Sequence, residues 1–394
     1  MTFAHVEAVK SLKTVTAESK IVMKKKVILS VTNDLFTDPR VDKTCRSLLS
    51  LDFEVLLLGR RYNNSPFLEP REYQTKRFFL IFRKGPFFYA EYNLRLFFFL
   101  LFQNFDVLVA NDLDTLLPNF LISKWRKKHL VYDSHEYFCG ILEIKDRPIV
   151  RKIWLSIEKL CFPKLKNVIT VSQSIANQYE KEYGVKVHVV RNIPLSTKPP
   201  IIQSRSRLAL PENKIIVILQ GNAIHRDRGG EEMIEAMQFL DNVCLLIVGS
   251  GDVIPLLKER TNELQLSEKV KFVGRVPADV LFNFTCLADI GIAFDKDVSM
   301  NHHFSLPNKI FDYIKAEIPY LCTNLPERKY ITEKYKVGVV LENINPETIA
   351  HTIQTLISDA SYYQQLKENC RKAALELTWE NEEKVLKAVY LNLN

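Results

Sequence analysis

The chain has 394 residues, 47% of them hydrophobic, which is more than one ordinary core takes up, and two domains are expected. Its longest apolar run, Leu96 to Phe102, is too short for a bilayer-spanning helix of ~20 residues. Residues 1–200 carry 32 Lys and Arg against 20 Asp and Glu and the rest 22 against 26; the basic front half points to anionic partners, and no nucleic-acid-binding motif goes with it.

Residues 1–23 lack the apolar core of a signal peptide. Met23 opens the first strand more naturally than Met1 does, so 1–23 is expected to be disordered or a mis-assigned start. Apolar, β-branched runs then recur at 25–33, 53–59, 78–83, 106–112, 129–135, 168–172 and 187–192. A second series follows at 215–222, 243–249, 269–274, 289–294, 319–324 and 337–341. Continuous rather than alternating apolar runs predict strands buried on both faces, hence parallel sheets between helices. The polar, proline-rich stretch 192–214 divides the two series. The fold class expected is therefore α/β, with two doubly wound, Rossmann-like domains facing across a cleft. The first spans 24–195 together with a returning amphipathic helix at about 378–394, and the second spans 196–377. In such sheets ligands sit beyond the carboxyl ends of the strands.

Two stretches leave alternatives open. The aromatic segment 85–103 reads as a core helix, or as a helix lying in a membrane interface with Arg83, Lys84 and Arg95 beside it. In "FSLPNKIFDYIKAEIP", Ser305 is expected to cap a helix with Pro307 in its first turn. Asn308, Lys309 and Asp312 then share one flank, either as an ordinary surface ion pair or as a site for phosphate and hydroxyls. Seven scattered cysteines without metal spacing fit a reducing compartment, and His302 and His303 have no third ligand suitably spaced, so no metal is expected.

The segments "TNDLFTDPRVDKTCRSLLS", "DVLVANDLDTLLP", "LVYDSHEYF", "VITVSQSIANQYEKEYGVKVHVVRNIP", "QGNAIHRDRGGEEMIEAM", "LLIVGSG", "VKFVGRVPADVL", "ADIGIAF", "FSLPNKIFDYIKAEIP" and "WENEEK" occur in this order. Together they resemble glycosyltransferase family 4, the retaining nucleotide-sugar enzymes of GT-B fold, over nearly the whole length. The resemblance implies transfer of a sugar from a nucleoside-diphosphate donor to a hydroxyl acceptor, in surface polysaccharide or lipid-linked glycan assembly. It implies no cofactor, the nucleotide sugar being a co-substrate. The enzyme would work in the cytoplasm, with peripheral contact with an anionic membrane at its inner face as a further option.

The resemblance also implies roles. Arg228 and Lys309 would grip the diphosphate, with Arg226 and Gly229 at the same helix start. His135 would steady the transferred sugar, and with Arg228 and Lys309 makes up the catalytic set. Asp312 stands where many members have the second of two glutamates, for the ribose, and Phe304 stands at the first. Asn222 replaces a frequent arginine. Ser305, Leu306 and Asn308 are left to hold sugar and diphosphate, Arg275 and Val276 the base. Gly249, Ser250 and Gly251 allow close backbone approach, and Arg40 lies in a loop that touches donor phosphate. Asp112, Asp114 and Glu136 form the acceptor side, although helix capping explains at least one of the aspartates equally well. A nucleotide-sugar epimerase or hydrolase, and a non-catalytic partner subunit, remain as alternatives.

Overall fold

The computed structural model describes residues 24–36, 38–198 and 204–393. The expectation for 1–23 therefore lies outside the described residues.

Thirteen strands form among them. β1 (Lys26–Ser30), β2 (Glu54–Arg61), β3 (Gln74–Phe79), β4 (Val107–Asn111), β5 (His129–Ser134), β6 (Asn167–Thr170) and β7 (Val187–Val189) make a first sheet. Its order is β3-β2-β1-β4-β5-β6-β7, all parallel. β8 (Ile215–Gly221), β9 (Val243–Gly249), β10 (Val270–Gly274), β11 (Ile290–Ala293), β12 (Tyr320–Thr323) and β13 (Gly338–Leu341) make a second, parallel in the order β10-β9-β8-β11-β12-β13. Each order reverses direction beside its first strand, which opens a crevice at the carboxyl ends of β1 and β4 and of β8 and β11. This is the GT-B architecture.

The two faces of the first sheet have separate cores. Val27, Leu29, Val109 and Val131 pack beneath the Pro39–Ser50 helix and the chain's last helix, Trp379–Leu391, which lies on this sheet. Ile28, Leu58 and Leu108 face the opposite way, beneath the Pro86–Leu101 helix. Residue-by-residue alternation between two buried faces is the physical origin of the unbroken apolar runs.

The third strand departs from expectation. The run at 78–83 was expected to be the strand, but β3 spans Gln74–Phe79 and pairs with Leu56–Arg61 of β2. As an edge strand it is half exposed, and its partner's register outweighs local hydrophobicity. Leu80 is buried beyond its end, while Ile81 and Phe82 are exposed and their amides bond to the Glu91 carboxylate.

The aromatic segment forms a helix with one flank in the core, as the core-helix reading expects. Phe88, Tyr92, Leu96 and Leu100 of the Pro86–Leu101 helix are buried in the core, whereas Phe87, Leu94 and Phe98 face outward. Among the described residues no helix is long and apolar enough to cross a membrane.

Candidate active site

At the carboxyl end of β4, Asp112 holds a left-handed backbone (φ 59°, ψ 166°) at the mouth of the Leu113–Arg126 helix. That conformation strains a residue with a Cβ, and it turns the carboxylate away from the helix. Asp112 makes no side-chain cap; Oδ1 accepts from the His135 backbone N–H at 2.8 Å and Oδ2 lies 3.3 Å from His135 Nδ1. The capping explanation fails for this aspartate. On the other side of the imidazole, Asp133 Oδ2 lies 3.5 Å from His135 Nε2. Burial alone depresses the His135 pKa, but the two carboxylates outweigh it and push it up to about 9. Asp112 itself is raised to about 6, by burial foremost. Asp133 is held below the usual carboxylate range: burial raises it, and Arg40 and His135 more than compensate.

Arg40 corrects an expectation. It is not a loop cation but lies in the first turn of the Pro39–Ser50 helix, 3% exposed. Nη2 binds Asp133 Oδ1 at 2.7 Å and Nη1 donates to the Val190 carbonyl at 2.7 Å. With its guanidinium thus committed, it positions Asp133 and, through it, His135. Asp114 is buried in the first turn of the Leu113–Arg126 helix, accepts from Thr32 Oγ1 at 2.6 Å, and is raised by burial to about 7.

Asp112→Asn removes the carboxylate whose charge raises His135 most. The expected result is a His135 pKa well below about 9, read by NMR titration. A pKa raised in the folded state adds stability below the unfolded value near 6.5 that fades as pH rises through about 9. The variant's stability should accordingly depend less on pH across that window.

In the second domain, Asp295 follows β11 and is 1% exposed. Arg228 Nη1 sits 3.2 Å from its Oδ1, and Arg328, fully buried, pairs with its Oδ2. Arg328 Nη2 also donates to Ser305 Oγ at 2.9 Å. Lys309 enters the same cluster. Burial lowers its ammonium to about 8, Asp295 opposes that, and Arg228 and Arg328 reinforce it. Nε of Arg228 and Nε and Nη1 of Arg328 have no hydrogen-bond acceptor among the described residues. Two guanidiniums thus pair with one carboxylate with donor capacity left over, and Lys309 lies near enough to feel all three charges.

Around this centre, Gly229 (φ 72°) caps the Gly230–Ala236 helix, and a Cβ there would lie 2.4 Å from that of Phe294. Gly249 ends β9 with φ 139°, where a Cβ would fall 1.8 Å from the Gly221 carbonyl oxygen. Only glycine lets these two strand ends meet. Ser250 Oγ donates to the Asn222 carbonyl at 3.3 Å, leaving the Asn222 side chain exposed, and Gly251 presses on the Ile224 backbone. Gln220, at the end of β8, holds Asp312 through Nε2 at 3.2 Å, and burial raises Asp312 to about 6.

The helix start departs from expectation. Ser305 does not cap the Asn308–Lys315 helix. Its Oγ accepts from Arg328 and donates to the His302 carbonyl at 2.9 Å, closing the preceding Met300–Phe304 helix. Pro307 takes the N-cap position, with no side-chain cap. Asn308 is exposed at the first turn and Leu306 packs on the second domain's core. Arg226 is exposed and makes no ion pair among the described residues. Arg275 and Val276 follow β10, two strands from β8, the first exposed and the second against the core. His302 and His303 turn to different partners, Ser299 Oγ and Asp297 Oδ2.

The two clusters border one seam between domains. Asn301 Nδ2 donates to Glu136 Oε2 at 3.0 Å, and the Tyr137 N–H donates to Asn301 Oδ1 at 3.1 Å. The Phe304 ring meets Tyr137 edge-on at 5.9 Å, and Ser172 Oγ donates to the Phe304 carbonyl. Burial, with Glu143 adding to it, raises Glu136 to about 7. Asp295, Arg328 and Asn301 were not singled out from the sequence. Asp295 was reachable as a polar residue ending the "IGIAF" run, whereas Arg328 in "LPERKY" carries no local signal.

The family model "Glycosyltransferase Family 4" matches residues 40–193, and "Glycosyl transferases group 1" matches 201–373. An uncharacterized glycosyltransferase of Methanocaldococcus jannaschii is 25% identical over 268 residues, covering 64% of this chain and 65% of that protein's own length. Sucrose-phosphate synthase of Thermosynechococcus elongatus superposes with a TM-score of 0.79 at 15% identity, covering 94% of this chain and 99% of the other. HepE of Anabaena, solved with UDP and glucose, gives 0.73 at 16% identity, covering 94% and 100%. With both domains matched in order and the fold shared end to end, the chain belongs to the family 4-like glycosyltransferases of GT-B fold.

Proposed function

We propose that the protein is a retaining, metal-independent hexosyltransferase that moves a sugar from a nucleoside-diphosphate donor to a hydroxyl acceptor in polysaccharide or lipid-linked glycan assembly. The observation that carries this is the pairing of Arg228 and Arg328 with Asp295, with unused donors beside the inter-domain seam and Lys309 within their field. One buried carboxylate does not neutralise three cations, and a diphosphate supplies the missing charge. Its negative charge grows as the bond between the anomeric carbon and phosphate oxygen breaks, and fixed cations in a dry site favour that change. The acceptor oxygen bonds to the same carbon on the same face, its proton passing to the departing phosphate oxygen. His135, held cationic-to-neutral near pH 9 by Asp112 and Asp133, donates to the sugar hydroxyls. Asp312, steadied by Gln220, accepts from the ribose, and the strand-end glycines admit the nucleotide. Asp112, Asp114 and Glu136 lie on the acceptor side. The enzyme works in the cytoplasm, in peripheral contact with an anionic membrane.

UDP is the nucleotide to titrate first, because HepE binds it. Calorimetry should show UDP binding that weakens at least about tenfold in Arg228→Ala, the loss of one charge-assisted contact. Failure of every nucleoside diphosphate to bind would favour a non-catalytic subunit. Release of free sugar without glycosylated acceptor would favour a hydrolase. The anomeric configuration of the product, read by NMR, tests retention.

A further inference from the structure

The face of the first sheet opposite the Trp379–Leu391 helix is covered by three helices in contact with one another, Pro86–Leu101, Leu113–Arg126 and Pro148–Cys161. Each has an inward stripe in the core and an outward apolar stripe that no described residue covers. On the first, Phe87, Leu94 and Phe98 are 51–67% exposed. On the second it is Leu121 and Trp125, the indole 68% exposed, and on the third Ile149 and Ile153, at 76% and 54%. Their spacing of four, seven or eleven residues keeps each set on one helix flank.

Charge surrounds these stripes with one sign. Residues 83–103, 121–128 and 145–166 hold fourteen Lys and Arg against three Asp and Glu. Of the three acids, Glu158 is buried and accepts from Tyr183, while Glu91 is occupied by Arg95 and two backbone amides. The cations concentrate in a hollow of about 370 Å³ lined by Lys124, Lys127, Lys128, Lys164 and Lys166. Among the described residues only Lys128 has a carboxylate partner, Asp106 at 2.8 Å. The hollow opens at the amino ends of β5 and β6, so the six residues of β5 separate it from His135 by roughly 20 Å. It therefore takes no part in the donor site.

We infer that this three-helix face docks on an anionic phospholipid bilayer, with the outward aromatic and aliphatic side chains entering the interface and the lysine hollow receiving phosphate headgroups. Apolar stripes rimmed by lysines, of which Lys128 alone has a carboxylate partner among the described residues, match that surface in both chemistry and sign. The inference deepens the lipid-linked acceptor reading and rests on it only for its purpose, since vesicle binding and nucleotide binding are measured separately.

The test is co-sedimentation of the full chain with vesicles of phosphatidylcholine, with and without phosphatidylglycerol. The wild type should sediment only with the anionic vesicles. Lys127→Gln/Lys164→Gln/Lys166→Gln and Phe98→Ser/Ile153→Ser should each lose at least about tenfold in affinity, with UDP binding unchanged as the check on folding. A wild type that stays in the supernatant, or variants that sediment equally well, would overturn the inference. So would saturable binding of inorganic phosphate, lost in the lysine variant, without vesicle association, because it would assign the hollow to a soluble anion.

Discussion

Lys309→Met is expected to lower kcat/KM for sugar transfer by about a hundredfold or more, the scale for removing one preorganised charge from a developing anion. The ammonium is brought to about 8 by burial, with Asp295 opposing and the two arginines reinforcing. In the free enzyme it is protonated below that pH and neutral above it. The logarithm of kcat/KM should therefore stay level up to about pH 8 and then fall, because the charged form binds the diphosphate. Arginine stays protonated throughout this range, so Lys309→Arg should flatten the fall while lowering the plateau through imperfect fit. A descending limb that persists unchanged in Lys309→Arg would mean that another group titrates there, with His135 the next candidate at about 9. A wild-type rate in Lys309→Met would remove Lys309 from the site.

The architecture was legible because a parallel sheet buried on both faces writes itself as continuous apolar runs, and twelve of the thirteen runs coincide with a strand. Where tertiary pairing decides, local pattern failed. The edge strand β3 takes the polar residues Gln74–Arg77 and leaves Ile81 and Phe82 outside because β2 sets its register. The misplaced cap has the same origin. Ser305 and Pro307 suit a helix start, but the preceding short helix ends on Ser305 and Arg328 claims its hydroxyl. Residues at strand ends, Asp112 and His135 among them, were found by a rule about where parallel strands stop. Arg40 and Arg328 were beyond any such rule, because a guanidinium is buried only when a distant carboxylate meets it, and those partners lie 93 and 33 residues away. The structure also shows Phe304, the residue at the place of a glutamate, turned onto Tyr137 at the seam.

Arg328→Met is expected to lower the unfolding free energy by about 3–5 kcal/mol, because it strands Asp295 inside the second domain. Asp295 is 1% exposed, and its remaining cation would be Arg228, whose side chain is 30% exposed and reaches it at 3.2 Å. A pair of this kind adds little net stability over apolar replacements, whereas removal of one member leaves an uncompensated charge. Asp295→Leu/Arg328→Met should therefore regain most of the loss in urea titrations, since leucine and methionine fill comparable space without a charge to bury. Nucleotide affinity should not recover with it. The double variant lacks the guanidinium that holds Ser305 Oγ and the carboxylate that pairs with Arg228. Stability restored with UDP binding still impaired would show that the buried pair is retained for the site and not for the fold. If both recovered together, the pair would be a structural element alone, and the diphosphate would have to be held by Arg228 and Lys309 without it.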